Sequence, residues 1–292
     1  MLIDLSTLSL LERQHWLQHA IAPRPICFAA TIDSEGFVNL SPFSFYNLFS
    51  INPPVVVFSP SRRVRDNTTK HTLDNLVDVP EVTISVVDYE MVQQVSLSSC
   101  EFAKEDNEFI KAGFTIETST LVRPPMVKEA KIKFECRVLE IKSLGTNGGA
   151  GQLVIAEILR MHVDERVLGA DGKIDQRKIS HVARLGGDWY CRVDESNLFL
   201  VAKPNTKLGI GVDALPEHIR NSTILTGNDL GQLANVYEQP AVLASYEDER
   251  VKSIFQYYSL TPDEMEVELH RYAKELLRQN RVDEAWQVLL TL

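Results

Sequence analysis

Short apolar runs rich in Val, Ile, Phe and Thr recur through the first half of the chain, and turn residues separate them. Runs of this length and composition are typical of β-strands. They predict strands at residues 26–32, 37–40, 55–59, 82–87, 130–144 and 152–163. Residues 33–36 and 145–151 each separate two such runs, as hairpin loops do. The pattern favours a β-barrel with inserted helices.

Sequence patterns typical of helices occur near both ends of the chain. The sequence Ser-Leu-Leu-Glu at 9–12 has the form of a capping box, and it predicts a short helix that ends before Pro23. Near the other end, Thr261 and Pro262 fit a helix start, and apolar residues follow at spacings of three and four. A break at Asn280 then predicts a helical hairpin.

These patterns divide the chain into three parts. We predict an N-terminal helix in residues 1–22, a barrel domain in residues 23–195, and an extension in residues 196–292 that is first rich in loops and then helical. The predicted fold is therefore mainly β with helices, a β-barrel plus a C-terminal helical extension.

The charge balance narrows the classes of function. With 30 Lys and Arg residues against 40 Asp and Glu residues, the formal net charge is −10. Nucleic acid or an anionic membrane would demand a broad basic face, so we expect neither partner. The four cysteines include no Cys-x-x-Cys pair, and the histidines lack metal-ligand spacing. We expect reduced thiols, no metal site and a cytoplasmic protein.

One segment contrasts with this acidic background. Residues 59–72 contain four Lys or Arg residues and one acidic residue, between a predicted strand and a short predicted helix. Hydroxyls, cations and the free amides of the helix start then surround one position. A phosphate suits that position because Arg donates two parallel hydrogen bonds. The alternative interpretation is a solvated basic loop.

The preceding segment, residues 39–47, mixes small hydroxyls and amides with three aromatic residues. A flavin ring needs this mixture, because its flat face requires an apolar wall and its pyrimidine edge requires hydrogen-bond partners. The alternative interpretation is an aromatic-rich strand end that contributes to the core.

The order of these motifs resembles the flavin reductase-like family with the FMN-binding split barrel, which includes flavoredoxins. The matching stretches are 22–26, 31–36, 38–47, 52–59, 70–75, 124–125, 134–136, 162–164 and 182–190. They include Asn-Leu-Ser-Pro-Phe-Ser at 39–44 and Arg-Leu-Gly-Gly at 184–187. The resemblance implies a split β-barrel with FMN in a groove at a homodimer interface.

Position by position, the resemblance implies two sets of cofactor-binding residues. Those expected to line the flavin ring and its ribityl chain are Thr31, Asn39, Ser41, Phe43, Ser44 and Asn47. Those expected to hold the phosphate are Ser59, Arg62, Arg63, Lys70 and Thr72. The family commonly has Lys-Asp-Thr where this chain has Lys70-His71-Thr72, so the role of His71 stays open.

A reduced nicotinamide is the expected electron donor. The chain lacks a Rossmann fingerprint, since Gly209 and Gly211 have no third glycine at the required spacing. NADH or NADPH is therefore expected to bind loosely over the flavin. The resemblance places His181 and Arg184 near the flavin and the nicotinamide, and a structural role is the alternative for both.

We therefore expect an NAD(P)H:flavin oxidoreductase that transfers hydride from the nicotinamide to the flavin. The cofactor carries this chemistry, so no catalytic triad or acid–base pair is expected. Two other interpretations stay open: an FMN-containing electron carrier that a protein partner reduces, and a non-catalytic binding module on the same barrel. Replacing Lys70 and Thr72 by Ala should weaken FMN binding by roughly 2–5 kcal/mol.

Overall fold

The computed structural model describes residues 1–203 and 207–292. Within these residues the chain forms two compact units, Met1–Leu198 and Phe199–Leu292. Each unit has hydrophobic core clusters of its own. None of the helices in the described residues combines the length and the apolar composition that crossing a bilayer requires.

The strands belong to the first unit. In chain order they are β1 (Cys27–Ile32), β2 (Val38–Phe43), β3 (Tyr46–Ile51), β4 (Pro54–Phe58), β5 (Glu81–Val86), β6 (Ile116–Glu117), β7 (Met126–Val127), β8 (Ile132–Ser143), β9 (Gln152–Val163), β10 (Val182–Arg184) and β11 (Tyr190–Arg192). β6 pairs with β7, and β10 pairs with β11. Within the described residues the others form one antiparallel sheet in the order β2-β1-β5-β8-β9-β4-β3.

This sheet is rolled. β2 and β3 lie at its opposite edges, but only Ser44 and Phe45 separate them along the chain. The three residue steps from Phe43 to Tyr46 span about 11 Å at most, so the two edges must approach each other. The apolar side chains of Phe43, Phe58 and Ile84 fill the interior of the rolled sheet. The predicted barrel is therefore confirmed.

The predicted strands are all present, with ends that differ by up to three residues. The sequence patterns do not predict β3, since residues 46–47 are interpreted as the end of the ligand segment and residues 48–51 carry no prediction. Its side chains Leu48 and Phe49 are both exposed, so the strand lacks the alternation of buried and exposed positions that identifies a half-buried strand. Pairing with β4, and not local pattern, forms this strand.

The described part of the first unit also contains four α-helices. They are α1 (Leu10–Ala20), α2 (His71–Asp78), α3 (Val92–Leu97) and α4 (Glu108–Ala112). The predicted capping box of α1 is present: the Ser9 side chain accepts from the Glu12 amide, and the Glu12 carboxylate accepts from the Ser9 amide. The α2 helix buries Leu73 and Leu76 against the barrel, which positions its first turn beside β2.

Helices dominate the second unit. They are α5 (Glu217–Arg220), α6 (Gly227–Leu233), α7 (Glu249–Tyr257), α8 (Pro262–Arg278) and α9 (Val282–Leu289). α8 and α9 form the predicted hairpin, and Asn280 in the turn has a φ of 58°, in the left-handed region. Trp286 is fully buried, and its indole donates to the Leu233 carbonyl at 3.1 Å. Burying a large apolar side chain of this kind contributes about 1.5–3 kcal/mol.

Candidate functional site

A pocket of about 140 Å³ opens where α2 begins. We call it the Lys70 pocket. Its lining residues are Asn39, Ser41, Arg63, Lys70, His71, Ser98, Ser99, Cys100, Glu101, Phe102 and Glu108. Asn39 and Ser41 are two residues apart on β2, so their side chains point to the same face of the sheet. The fold thus brings together predicted residues from both sequence segments.

Lys70 gives this pocket its positive charge. It immediately precedes α2, and its Nζ lies 5.3 Å from the centroid of the Phe43 ring. Among the described residues, no carboxylate lies within ion-pair distance of this ammonium group. Burial, followed by the charge of Arg63, lowers the pKa of Lys70. A desolvated cation beside a like charge is stabilised by a bound anion.

Arg63, in contrast, already has protein partners. Its Nε lies 3.3 Å from a Glu101 carboxylate oxygen, and it donates a 2.9 Å hydrogen bond to the Thr68 hydroxyl. Arg65 donates to both oxygens of the same carboxylate, at 2.8 and 2.9 Å. The hydrogen bond from Arg65 is the main cause of the lowered pKa of Glu101. No local sequence pattern predicts this acidic residue at the pocket, because Glu101 is 36 positions from Arg65.

Thr31 and Thr72 lie behind the pocket lining. Both are fully buried. The Thr72 hydroxyl accepts a 2.8 Å hydrogen bond from the Asn39 side-chain amide, and the Thr31 hydroxyl accepts one of 3.2 Å from Asn75. In this structure they therefore support Asn39 and α2 and have no surface of their own in the pocket.

Two other predicted residues are buried nearby. Phe43 is 6% exposed and packs in the barrel core beneath Lys70. Ser59 is also buried, and its hydroxyl faces Gly151 so closely that a Cβ at that glycine would lie 2.6 Å from the Ser59 oxygen. Neither residue is in the lining of the Lys70 pocket.

Three further predicted residues of this region are absent from the lining of the Lys70 pocket. Arg62 donates from Nε to the Asn67 side-chain oxygen at 2.7 Å, which closes the loop before α2. Ser44 lies half-buried in the bend between β2 and β3. Asn47 is exposed on β3, and its side-chain oxygen accepts the amide hydrogen of Leu48 at 2.8 Å.

Glu108 is a pocket residue that the sequence analysis missed. It is 6% exposed, at the start of α4, and it accepts the Leu40 amide hydrogen at 3.0 Å. Burial raises the pKa of this carboxyl. No local motif marks it, because its position in the pocket depends on α4 packing against β2.

A second pocket, of about 360 Å³, is lined partly by α3. We call it the Arg184 pocket. Its lining residues are Tyr89, Val92, Gln93, Ser96, Val182, Arg184, Asp188, Tyr190, Cys191 and Arg192. The residues immediately after α3 line the Lys70 pocket, so this short helix contributes to the surroundings of both pockets.

The β10–β11 hairpin forms one wall of the Arg184 pocket. Arg184 pairs with Tyr190 across the hairpin, and Val182 pairs with Arg192, so all four side chains share one face. The Arg184 guanidinium lies 4.5 Å from the centroid of the Tyr190 ring. The Arg192 guanidinium lies 4.3 Å from that of Tyr89.

His181 lies in neither pocket lining. It is half-buried, it forms a β-bridge with Asp88, and its carbonyl accepts the amide hydrogen of Val193 at 2.8 Å. Burial, followed by the charge of Lys131, lowers the pKa of its imidazole. Of the two residues expected near the flavin and the nicotinamide, Arg184 thus lines this pocket and His181 does not.

The model of the family described as "flavin reductase like domain" matches residues 19–179, which is more than half of the chain. The chain belongs to this family. The match confirms the resemblance inferred from the sequence motifs. It ends before β10, so the hairpin wall of the Arg184 pocket and the second unit lie outside the matched region.

Individual relatives agree with this membership. An uncharacterized protein from Aquifex aeolicus is 36% identical over 172 residues, which cover 59% of this chain and 85% of the relative. Component B of the Bacillus cereus nitrilotriacetate monooxygenase superposes with a TM-score of 0.64 at 26% identity, over 69% of this chain and 98% of that one. A split barrel domain protein from Shewanella frigidimarina superposes with a TM-score of 0.58 at 28% identity, over 68% of this chain and 96% of that one. The predicted split-barrel fold is confirmed.

Proposed function

We propose that this protein binds FMN and acts as an oxidoreductase in which NADH or NADPH reduces the flavin. Membership of the flavin reductase-like family supports the flavin. The observation that carries the proposal is the Lys70 pocket, where an ammonium group without a carboxylate partner among the described residues stands at the first turn of α2. Phosphate groups bind at such helix starts because free backbone amides and the helix dipole favour negative charge.

The side chains of the Lys70 pocket suit one end of FMN. Lys70, Arg63 and His71 offer donors to a phosphate, and Asn39 and Ser41 offer hydrogen-bonding groups to the remainder of the cofactor. The volume of about 140 Å³ is below the roughly 300–1,000 Å³ of complete small-molecule sites. We therefore assign the phosphate end to this pocket, with the ring beyond it.

We propose that a second copy of the chain completes the ring site. β3 is an edge strand, and it exposes 57% of Leu48, 68% of Phe49 and 86% of Ile51. An exposed apolar edge strand is a surface that another chain covers readily. A homodimer that buries this edge would enclose the space beside the Lys70 pocket.

When bound, FMN supplies the chemistry of hydride acceptance and electron release. The residues of this chain bind and orient the cofactor. Lys70 and Arg63 neutralise the phosphate, the Thr72 hydroxyl fixes the Asn39 amide, and Phe43 keeps water from the inner side of Lys70. We propose a cytoplasmic location and small-molecule flavin and nicotinamide partners, in keeping with the acidic chain.

The test is a flavin titration of the purified protein followed by an assay of NADH and NADPH consumption. We expect a yellow protein with absorbance at about 450 nm, and we expect consumption of one reduced nicotinamide or both. Bound flavin without nicotinamide consumption would favour the electron carrier. Failure to bind FMN would contradict the proposal and favour the non-catalytic binding module.

A further inference from the structure

We infer that the Arg184 pocket binds the phosphate-bearing adenosine end of the nicotinamide dinucleotide. The inference rests on the proposed function for the identity of the co-substrate. Its chemistry rests on the lining of the pocket, to which both arginines come from the β10–β11 hairpin beyond residue 179. With about 360 Å³, the pocket is within the size range of small-molecule sites.

The charges of this pocket favour an anion. Among the described residues, neither Arg184 nor Arg192 has a carboxylate within ion-pair distance. Asp188, which is exposed, is the acidic residue in the lining, so positive groups outnumber negative ones. This excess occurs in a chain whose formal net charge is −10. A local excess of positive charge in an acidic chain favours the binding of an anion.

A third cation strengthens the positive potential. Arg24 is 7% exposed, and its guanidinium donates to the carbonyls of Gln18 and Leu185 at 2.6 and 2.8 Å. Burial, followed by the charge of Arg184, lowers the pKa of Arg24. Backbone hydrogen bonds of 2.8 and 2.9 Å between Arg24 and Arg184 fix the hairpin to the start of the barrel. An anion bound at Arg184 would relieve this repulsion.

The tyrosines determine how the arginines are presented. A guanidinium that stacks on a ring keeps its N–H edge available for a phosphate, and its second face can stack on a base. Tyr190 and Tyr89 support Arg184 and Arg192 in this way. Gln93, on α3, also lines the pocket and adds hydrogen-bonding capacity for a ribose or an adenine edge. Phosphate, sugar and base are the parts of an adenine nucleotide.

The position of the pocket suits a dinucleotide. α3 has six residues and is therefore about 9 Å long, and it borders this pocket while the residues that follow it border the Lys70 pocket. An adenosine end held at Arg184 leaves the nicotinamide end free to extend toward the proposed flavin. The phosphate at the arginines is either the 2′-phosphate of NADPH or the pyrophosphate that NADH and NADPH share.

The test is calorimetric titration of the full-length protein, without added flavin, with 2′,5′-ADP and with ADP. We expect binding, and we expect Arg184→Ala and Arg192→Ala each to weaken it about tenfold or more, because each removes a charge-assisted contact. Tighter binding of 2′,5′-ADP assigns the 2′-phosphate, and tighter binding of ADP assigns the pyrophosphate, which 2′,5′-ADP lacks. Failure of both probes to bind, or unchanged affinity in both variants, overturns the inference.

Arg177→Ala is the matched control, because this exposed arginine pairs with Asp175 and lies outside the pocket lining. If either alanine variant fails to fold, Arg184→Lys and Arg192→Lys replace it. Lysine keeps the charge but loses the flat donor edge, so we expect at least threefold weaker binding. Unchanged affinity in both lysine variants would then contradict the inference.

The same variants separate this inference from the proposed function. Nicotinamide consumption with an unchanged KM in the Arg184→Ala/Arg192→Ala variant would leave the function standing and overturn the inference. Arginine-dependent binding of 2′,5′-ADP or ADP by a protein that does not bind flavin would support the nucleotide site and contradict the proposed function. If the proposed function and this inference are both correct, the KM for the reduced nicotinamide should rise about tenfold or more in the Arg184→Ala/Arg192→Ala variant, while kcat changes little.

Discussion

The Lys70 pocket and the Arg184 pocket both present cations in an acidic chain, but the protein holds these cations in different ways. In the Lys70 pocket, Arg63 lies 3.3 Å from the carboxylate of Glu101. In the Arg184 pocket, the two guanidinium groups lie over tyrosine rings at 4.5 and 4.3 Å. Glu101 thus neutralises Arg63, whereas the tyrosine rings support Arg184 and Arg192 without neutralising them.

The difference determines which protein contacts each arginine loses when an anion binds. Arg63 must give up or share Glu101 when an anion arrives, so part of the gain from the new contact is offset. Arg184 keeps Tyr190 under its face while its N–H edge meets a ligand. Lys70 lies between these cases, because it contacts the Phe43 ring and has no carboxylate partner among the described residues. We therefore expect Lys70, and not Arg63, to dominate phosphate binding at α2.

The largest expected effect comes from Lys70→Ala. Loss of one charge-assisted phosphate contact should weaken FMN binding by about 1.5–3 kcal/mol in a flavin fluorescence titration. Thr72→Ala should act less strongly, because the Thr72 hydroxyl reaches the pocket only through Asn39. Lys173→Ala is the control, since the Lys173 side chain is 84% exposed. Unchanged FMN affinity in Lys70→Ala would contradict the assignment of the FMN phosphate to this pocket.

Glu101→Gln tests the neutralised arginine directly. Without the carboxylate, Arg63 and Arg65 lose their shared anionic partner, so FMN affinity should rise about threefold to tenfold. Added salt should reduce this gain, because the groups are partly exposed. Glu195→Gln serves as an exposed control of equal charge change. Weaker FMN binding in Glu101→Gln would mean that Glu101 organises Arg63 for the ligand.

Glu108→Gln gives a pH-dependent test of the same pocket. Burial raises the pKa of Glu108 above its ordinary 4.5, so its stabilising effect is complete below the unfolded-state pKa. This effect is lost as the pH rises through the folded-state pKa. Gln can still accept the Leu40 amide hydrogen. We therefore expect Glu108→Gln to be more stable than the wild type by about 1 kcal/mol at neutral pH.

Thermal unfolding of both proteins between about pH 4 and pH 8 checks this expectation. The two curves should converge at the acidic end, where the carboxyl is neutral in both states of the wild type. A difference that grows toward acidic pH would contradict the assigned sign.

The smallest expected effect concerns the stacked arginine. Tyr190→Leu removes the ring beneath Arg184, and a stacking contact of this kind contributes about 0.5–1 kcal/mol. Affinity for 2′,5′-ADP should therefore fall about twofold to fivefold. Tyr190→Phe keeps the ring and should bind as the wild type does. Equal losses in both variants would assign the role to the Tyr190 hydroxyl and not to the ring.

Local sequence patterns determined much of this protein. Alternating and continuous apolar runs are short-range signals, and they identified β1, β2, β4, β5, β8 and β9. The capping box before α1 and the break at Asn280 are equally local, because caps and turns depend on a few consecutive residues. The ordered motifs also identified the flavin reductase-like family.

Only the tertiary structure decided which polar groups meet. Arg65 and Glu101 are 36 positions apart, and Leu40 and Glu108 are 68 apart, so no periodicity relates them. Burial is likewise a property of the packed fold, which is why Thr72 lies behind the pocket and not in its lining. The Arg184 pocket forms only when β10 pairs with β11 opposite α3. The sequence by itself determined the elements and the family, whereas contacts between distant segments determined the composition and charge of each pocket.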